Sequence, residues 1–228
     1  MPDNDHLPSE IDFDRLFRDK SVFDSSDDMR AAGFDVIRES KREKVIVAGH
    51  RSLPGFLFKK FLRDVSFSRE EQFAVYEKRV NGARALKAHL DVLGTHSIVV
   101  PRKWLCELPA RFSSGKKPEH IVVVDRFVIR DREESERRYR RMGQDQLRDL
   151  CTIFFTFKRI DFTAKNAPFT PDGRIAFIDT GYLTPITNKK LRSRKKSYDK
   201  NAAKLFTDKH RRFATKLWDD LVDRFLNT

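Results

Sequence analysis

Apolar residues recur along this chain with two different periods, and the switches between them mark its elements. Residues 43–49 and 55–61 read as strands, with the turn-rich stretch 50–55 between them. In the second strand, alternation puts Leu57, Lys59 and Phe61 on one face and Phe56, Phe58 and Lys60 on the other. The period then lengthens. Phe73, Tyr76, Val80, Ala83, Leu86, Leu90 and Leu93 are spaced by three or four residues, which predicts one long helix with a single apolar face. Ser68 and Glu71 supply a capping box at its start and Gly94 a stop. Glu77 falls on or beside that apolar face. Strand patterns return at 96–101 and 120–127, around an exposed turn at 113–119. Residues 131–142 read as a charged helix or linker. A second amphipathic helix follows, with Leu147, Leu150, Cys151, Phe154 and Phe155 on its apolar side and an end near Arg159. Residues 167–179 predict a hairpin turning at Pro171-Asp172-Gly173, and a closing helix carries Phe213, Leu217, Leu221 and Phe225.

The order is strands, helix, strands, then mostly helices around one hairpin. That is an α+β pattern with a sheet-rich front and a helical back. It divides the chain into a polar N-terminal arm, 1–35, a front part, 36–127, and a back part, 128–228. The arm is read as flexible or loosely docked, with one short helix around 12–17.

Composition adds weight to a packed protein. Hydrophobic residues make up 39% of the 228 positions, and 20 of them are phenylalanines that can only be stabilising when buried. Net charge is +13, from 47 basic and 34 acidic residues, so partners bearing phosphates fit this chain: nucleic acid, anionic lipid, nucleotide or phosphoinositide. The basic stretch 188–212 is the place for an anionic partner: a substrate dock, a polyphosphate site, a nuclear localisation signal or a nucleic-acid contact. Cys106 and Cys151 show no metal or disulfide spacing and read as reduced core thiols of an intracellular protein. The six histidines show no zinc spacing, and no Ser-His-Asp or Cys-His arrangement is visible. No apolar run approaches the roughly 20 residues of a membrane helix, and no signal-peptide core is present. The expectation is a soluble, cytoplasmic protein, with secretion as an effector by a route lacking a classical signal left open.

The chemistry concentrates in residues 160–181. Asp161 is followed five residues later by Asn166, and thirteen residues beyond that by Asp179, which opens Asp179-Thr180-Gly181. Each alone is an ordinary turn former. In order, behind a strand lysine and a helix glutamate, they resemble the catalytic loop and metal-binding D-x-G of the protein-kinase-like superfamily, over roughly residues 40–185. The likeness is to a minimal, atypical kinase, similar to small kinases among bacterial secreted effectors. It implies a bilobal fold: an antiparallel-sheet front lobe with one long helix and a reduced helical back lobe.

It also implies ATP and Mg²⁺ as cofactors. Asp161 would orient the acceptor hydroxyl and take its proton, and Asn166 and Asp179 would ligate Mg²⁺. Lys59 would contact the nucleotide phosphates, and Glu77 would pair with Lys59. Adenine would bond to backbone groups near Val124, Asp125 and Phe127. Of the adjacent lysines, one must face solvent, and alternation selects Lys59 over Lys60 for the site. Glu70 and Glu71 are rivals to Glu77. No G-x-G-x-x-G loop is present, and Lys-Arg-Ile precedes Asp161 where kinases have His-Arg. The stretch 172–179 also resembles aminoglycoside and choline kinases, whose substrate lobes are larger. The implied function is phosphoryl transfer to a hydroxyl, on a protein ahead of a small molecule, lipid or inositol phosphate. The remaining alternative is a catalytically dead module that binds through a basic surface.

Overall fold

The computed structural model describes residues 6–16, 25–40, 45–61, 68–112, 118–158, 160, 162–181, 183–185, 195, 199 and 206–226. The chain forms two compact units. Unit 1 comprises Met1–Val80 with Pro101–Arg126, and unit 2 comprises Asn81–Val100 with Phe127–Thr228.

Unit 1 is built on a five-stranded sheet in the order β1-β2-β3-β6-β5. The strands are β1 (Phe34–Ser40), β2 (Val45–His50), β3 (Leu53–Phe61), β5 (Lys103–Glu107) and β6 (His120–Asp125), and every pairing is antiparallel. Alternation sorts their side chains onto two faces, and both are covered. Val45, Phe61, Val122 and Val124 pack with Tyr76 and Val80 from the start of helix α3 (Arg69–Leu93). On the opposite face Ile46, Ala48, Phe56, Phe58, Trp104, Ile121 and Val123 pack with Ile11, Leu16 and Met29. These last come from the segment read as an arm, which carries the short helices α1 (Phe13–Leu16) and α2 (Ser26–Ala31). Met29 is fully buried, so the described part of that segment is docked on the sheet. The short helix expected near 12–17 is there.

Two covered faces correct one expectation. Lys60 does not point to solvent: it is buried, and its Nζ lies 3.0 Å from the carboxylate of Glu119, itself buried. A buried ammonium needs such a partner, because desolvating an unpaired charge is costly. Arg69 reaches the other oxygen of the same carboxylate at 2.5 Å.

Helix α3 begins and ends as its sequence dictates. The Ser68 amide donates to the Glu71 carboxylate at 2.7 Å, and the Glu71 amide donates back to the Ser68 hydroxyl at 3.2 Å. At the far end Gly94 takes φ +63°, the Gly94 amide reaches Asp91 and the Thr95 amide reaches Leu90. That is a Schellman closure, open to glycine because it lacks a Cβ.

Unit 2 takes the second half of α3 and packs it on α5 (Gln144–Thr156). Leu86, Leu90 and Ile98 join Leu147, Leu150, Cys151 and Phe154 in one core. The stretch 96–101, expected to extend the front sheet, supplies only β4 (Ile98–Val99), which pairs in parallel with β8 (Ile175–Ala176) inside unit 2. Another short pair joins β7 (Phe157–Lys158) to β9 (Thr184–Pro185). The charged stretch becomes α4 (Arg132–Arg140), capped by Asp131, whose side chain accepts from the Glu134 amide at 2.8 Å. The closing helix α6 (Asp208–Leu226) docks through Ala214 and Trp218, with the Trp218 ring 5.2 Å from that of Phe155 on α5. Cys106 and Cys151 are both free and buried, and burial pushes the Cys106 thiol up to about 12. No described helix is long and apolar enough to cross a membrane.

Three half-buried histidines sit against aromatic rings: His50 by Phe34, His89 by Phe157 and His120 by Phe73. Burial is the main cause that holds all three below the usual imidazole value of 6.5. A depressed folded-state value means that their contribution is present above 6.5 and is lost as pH falls through the folded values. The thermal midpoint is therefore expected to drop between about pH 7.5 and about pH 5.5, and to drop less in His89→Gln. Equal drops in the two proteins would rule His89 out as a contributor.

Candidate functional site

The strongest geometry lies in unit 2, in the loop after β7. The chain turns at Thr163–Asn166, where the Asn166 amide donates to the Thr163 carbonyl at 3.0 Å. It then runs into the hairpin, which turns where the sequence placed it. The Gly173 amide donates to Thr170 at 3.0 Å, and Gly173 adopts φ +89°. Phe169 bridges Ile175 across the hairpin, and β8 carries the chain back past the loop it left. There the Asn166 carbonyl accepts the amide of Ile178 at 3.0 Å and lies 3.5 Å from that of Asp179. Asn166 and Asp179, thirteen residues apart in sequence, are thereby neighbours. The Asp179 carboxylate is exposed and accepts the Gly181 amide at 3.2 Å, which fixes a local turn.

Three supports hold this loop. Tyr139 of α4, fully buried, donates its hydroxyl to the Ala167 carbonyl, and its ring lies 5.2 Å from Phe162 and 4.9 Å from Phe169. Burial holds the Tyr139 phenol well above its usual pKa, so it remains a donor. The second support is Ser135 of α4, whose buried hydroxyl accepts the Phe169 amide at 3.1 Å. The third support is Gly82, inside α3. A Cβ at that position would overlap the backbone carbonyl oxygen of Thr180 and come within 3.5 Å of Leu183. The helix thus lies directly against Asp179-Thr180-Gly181, and only glycine permits that approach.

Asp161 lies outside the described residues, as does most of the basic stretch 188–212. Of that stretch, Lys195 pairs with Asp219 on α6 at 2.6 Å, and Lys209 and Arg212 are exposed. Charge is unevenly divided between the units. Unit 2 holds 26 basic and 15 acidic residues, a net +11, while unit 1 holds 21 and 19, a net +2.

In unit 1, Lys59 is half-buried and shares its face of β3 with Leu57 and Phe61, as alternation required. Glu77 departs from expectation. It is exposed, and among the described residues it makes no ion pair, with Lys59 or any other group. Tyr76 and Val80 take the buried line of α3, and Glu77 is turned about 100° from Tyr76 by the helical step. Of the expected adenine contacts, Val124 is buried within the ladder and Asp125 is held by Arg102. The Arg102 Nε donates to the Asp125 carboxylate at 2.8 Å. The amides of Asp125 and Arg126 are taken by the carbonyls of Arg102 and Gly55, at 3.0 and 2.8 Å. The amide of Phe127 has no described partner.

Asn166 and Asp179 offer oxygen donors of the kind that Mg²⁺ prefers. Among the described residues no three His, Cys, Asp or Glu side chains gather into a metal-binding group. Sequence reading missed Gly82 and Glu119. A glycine inside a 25-residue helix costs about 1 kcal/mol against alanine, and that was the available signal for the first. No local pattern marks the second, because its partners come from two other elements.

No protein-family model matches this sequence, and no curated protein matches it. Among solved structures it is similar to WbdD. A 2.2 Å crystal structure of that protein gives TM-score 0.40 at 10% identity, covering 73% of this chain and 36% of the other. A co-crystal of WbdD with a kinase inhibitor gives 0.38 at 12% identity, covering 72% and 36%. A structure described as the bifunctional kinase-methyltransferase WbdD gives 0.36 at 10%, covering 69% and 34%. This chain therefore spans about a third of the length of the structures it matches.

Proposed function

We propose that this chain is a minimal ATP- and Mg²⁺-dependent phosphotransferase of the protein-kinase-like kind, acting on a protein hydroxyl. The observation that carries the reading is the junction of Asn166 with Asp179. Two residues assigned to one metal by motif spacing are joined through the Asn166 carbonyl and the amide of Ile178. The hairpin between them, bridged at Phe169 and Ile175, brings the two residues to one place.

In this reading Asn166 and Asp179 hold Mg²⁺, which when bound neutralises charge on the transferring phosphates. Asp161 orients the acceptor hydroxyl and receives its proton. Lys59 binds nucleotide phosphates, and the amide of Phe127, which has no partner among the described residues, suits an acceptor nitrogen of adenine. The +11 charge of unit 2 favours an acceptor protein with acidic residues near the modified hydroxyl.

The test is incubation with γ-labelled ATP and Mg²⁺ beside Asp179→Ala. Label on the wild type or on an added acidic protein, absent with the variant, is the expected result. Equal labelling by both would remove Asp179 from the site. The exposure of Glu77 favours a second reading, a module that binds nucleotide without transferring phosphate. Under it, ATP raises the thermal midpoint in Mg²⁺ while no label appears on any acceptor.

A further inference from the structure

The most heavily desolvated charges among the described residues of unit 1 are not those that the motif reading selects. Glu119 immediately precedes β6 and is almost wholly inaccessible, with 1% of its side chain exposed. One of its oxygens faces Lys60 of β3 at 3.0 Å, and the other faces Arg69, the first residue of α3, at 2.5 Å. One carboxylate therefore joins a strand, the lead into the next strand and the start of a helix.

Two features set this cluster apart from an ordinary ion pair. Arg69 stands in the first turn of α3, where the helix dipole disfavours a cation. The Glu119 carboxylate beside it offsets that cost. The cluster also adjoins a second tie between the same elements: the Phe61 amide donates to the buried Tyr76 hydroxyl at 2.5 Å. Lys60 and Phe61, the two residues that follow Lys59, are thus both anchored, and both anchors lead to α3. Glu77, the helix residue first selected as a partner for Lys59, faces solvent.

We propose that Glu119 is a positioning residue: through Lys60 and Arg69 it locks the end of β3 to the start of α3 and so sets Lys59 for nucleotide phosphates. This rests on the kinase reading above. Glu119 touches no substrate. It acts through the two anchored residues that follow Lys59.

Epistasis with Lys59 tests this directly, using the full chain. ATP and adenosine affinities are measured by calorimetry in Mg²⁺ for wild type, Glu119→Gln, Lys59→Met and the double variant. Glu119→Gln is expected to weaken ATP about tenfold and leave adenosine unchanged, and to cause no further loss once Lys59 is methionine. A merely structural carboxylate would weaken both ligands, or add its loss to that of Lys59→Met, and either result overturns the proposal. If Glu119→Gln does not fold, Arg69→Gln is put through the same cycle, since Arg69 is 30% exposed and its removal leaves the Lys60–Glu119 pair in place. Wild type that binds no ATP sinks the kinase reading and the positioning role with it. Wild type that binds ATP, with additive losses, overturns the positioning role alone.

Discussion

Gly82→Ala is expected to destabilise this protein, although glycine to alanine in a helix interior ordinarily does the reverse. Helix propensity alone would stabilise the variant by about 1 kcal/mol. Against this, the new Cβ would overlap the Thr180 carbonyl oxygen, which is backbone and has no rotamer to escape through. Overpacking of this kind costs about 1–3 kcal/mol, and more where backbone must move. The net sign is therefore unfavourable, and Gly82→Val should be worse. Function should suffer beyond stability, because Thr180 adjoins Asp179. We expect Mg²⁺-dependent ATP binding to weaken in Gly82→Ala even at temperatures where it is fully folded. Chemical denaturation supplies the first measurement and nucleotide titration the second. A variant more stable than wild type would show that α3 does not press on the Asp179–Gly181 turn.

The second large effect is expected at Tyr139. Its ring is enclosed by Phe162 and Phe169, and its hydroxyl satisfies the Ala167 carbonyl. Tyr139→Ala leaves a cavity and an unpaired buried carbonyl together, at about 3–5 kcal/mol. Tyr139→Phe keeps the packing and loses only the hydrogen bond, at about 1–2 kcal/mol. The gap between the two variants in urea denaturation separates the contributions. Since Ala167 follows Asn166, Tyr139→Phe should also loosen the loop, read as faster amide exchange at Asn166 and Ala167. Unchanged exchange with reduced stability would mean that the hydroxyl serves the core and not the loop.

What the sequence made legible follows from how each element earns its burial. The strands 45–50 and 53–61 are interior members of the sheet and carry dense apolar alternation, so they stood out. The two strands that escaped notice, Phe34–Ser40 and Lys103–Glu107, are its edges. An edge strand can mix charges into its pattern, as Asp35, Arg38 and Glu39 do, and so reads like a loop. Helix α3 was legible because its caps and period are local. Lys60 was misplaced because its partner is Glu119, 59 residues away, and no periodicity speaks at that range. Asn166 and Asp179 were singled out by spacing alone, and the hairpin between them brings their backbones together. Asp161, for which the same spacing argues, rests on sequence.

The strand order also bears on how the chain acquires its shape during synthesis. β1, β2 and β3 form a local meander that can pair as soon as Phe61 has been made. The other side of β3 must wait for β6, which begins at His120. During that interval β3 presents unpaired amides and carbonyls along a row containing Phe56 and Phe58, a template for pairing with another nascent chain. Lys59 and Lys60 stand at the end of that row, where adjacent charge discourages such pairing. Before either lysine meets a carboxylate or a phosphate, the pair can serve as a guard against aggregation. Neutralising both should lower the yield of soluble protein more than it lowers the stability of the molecules that fold.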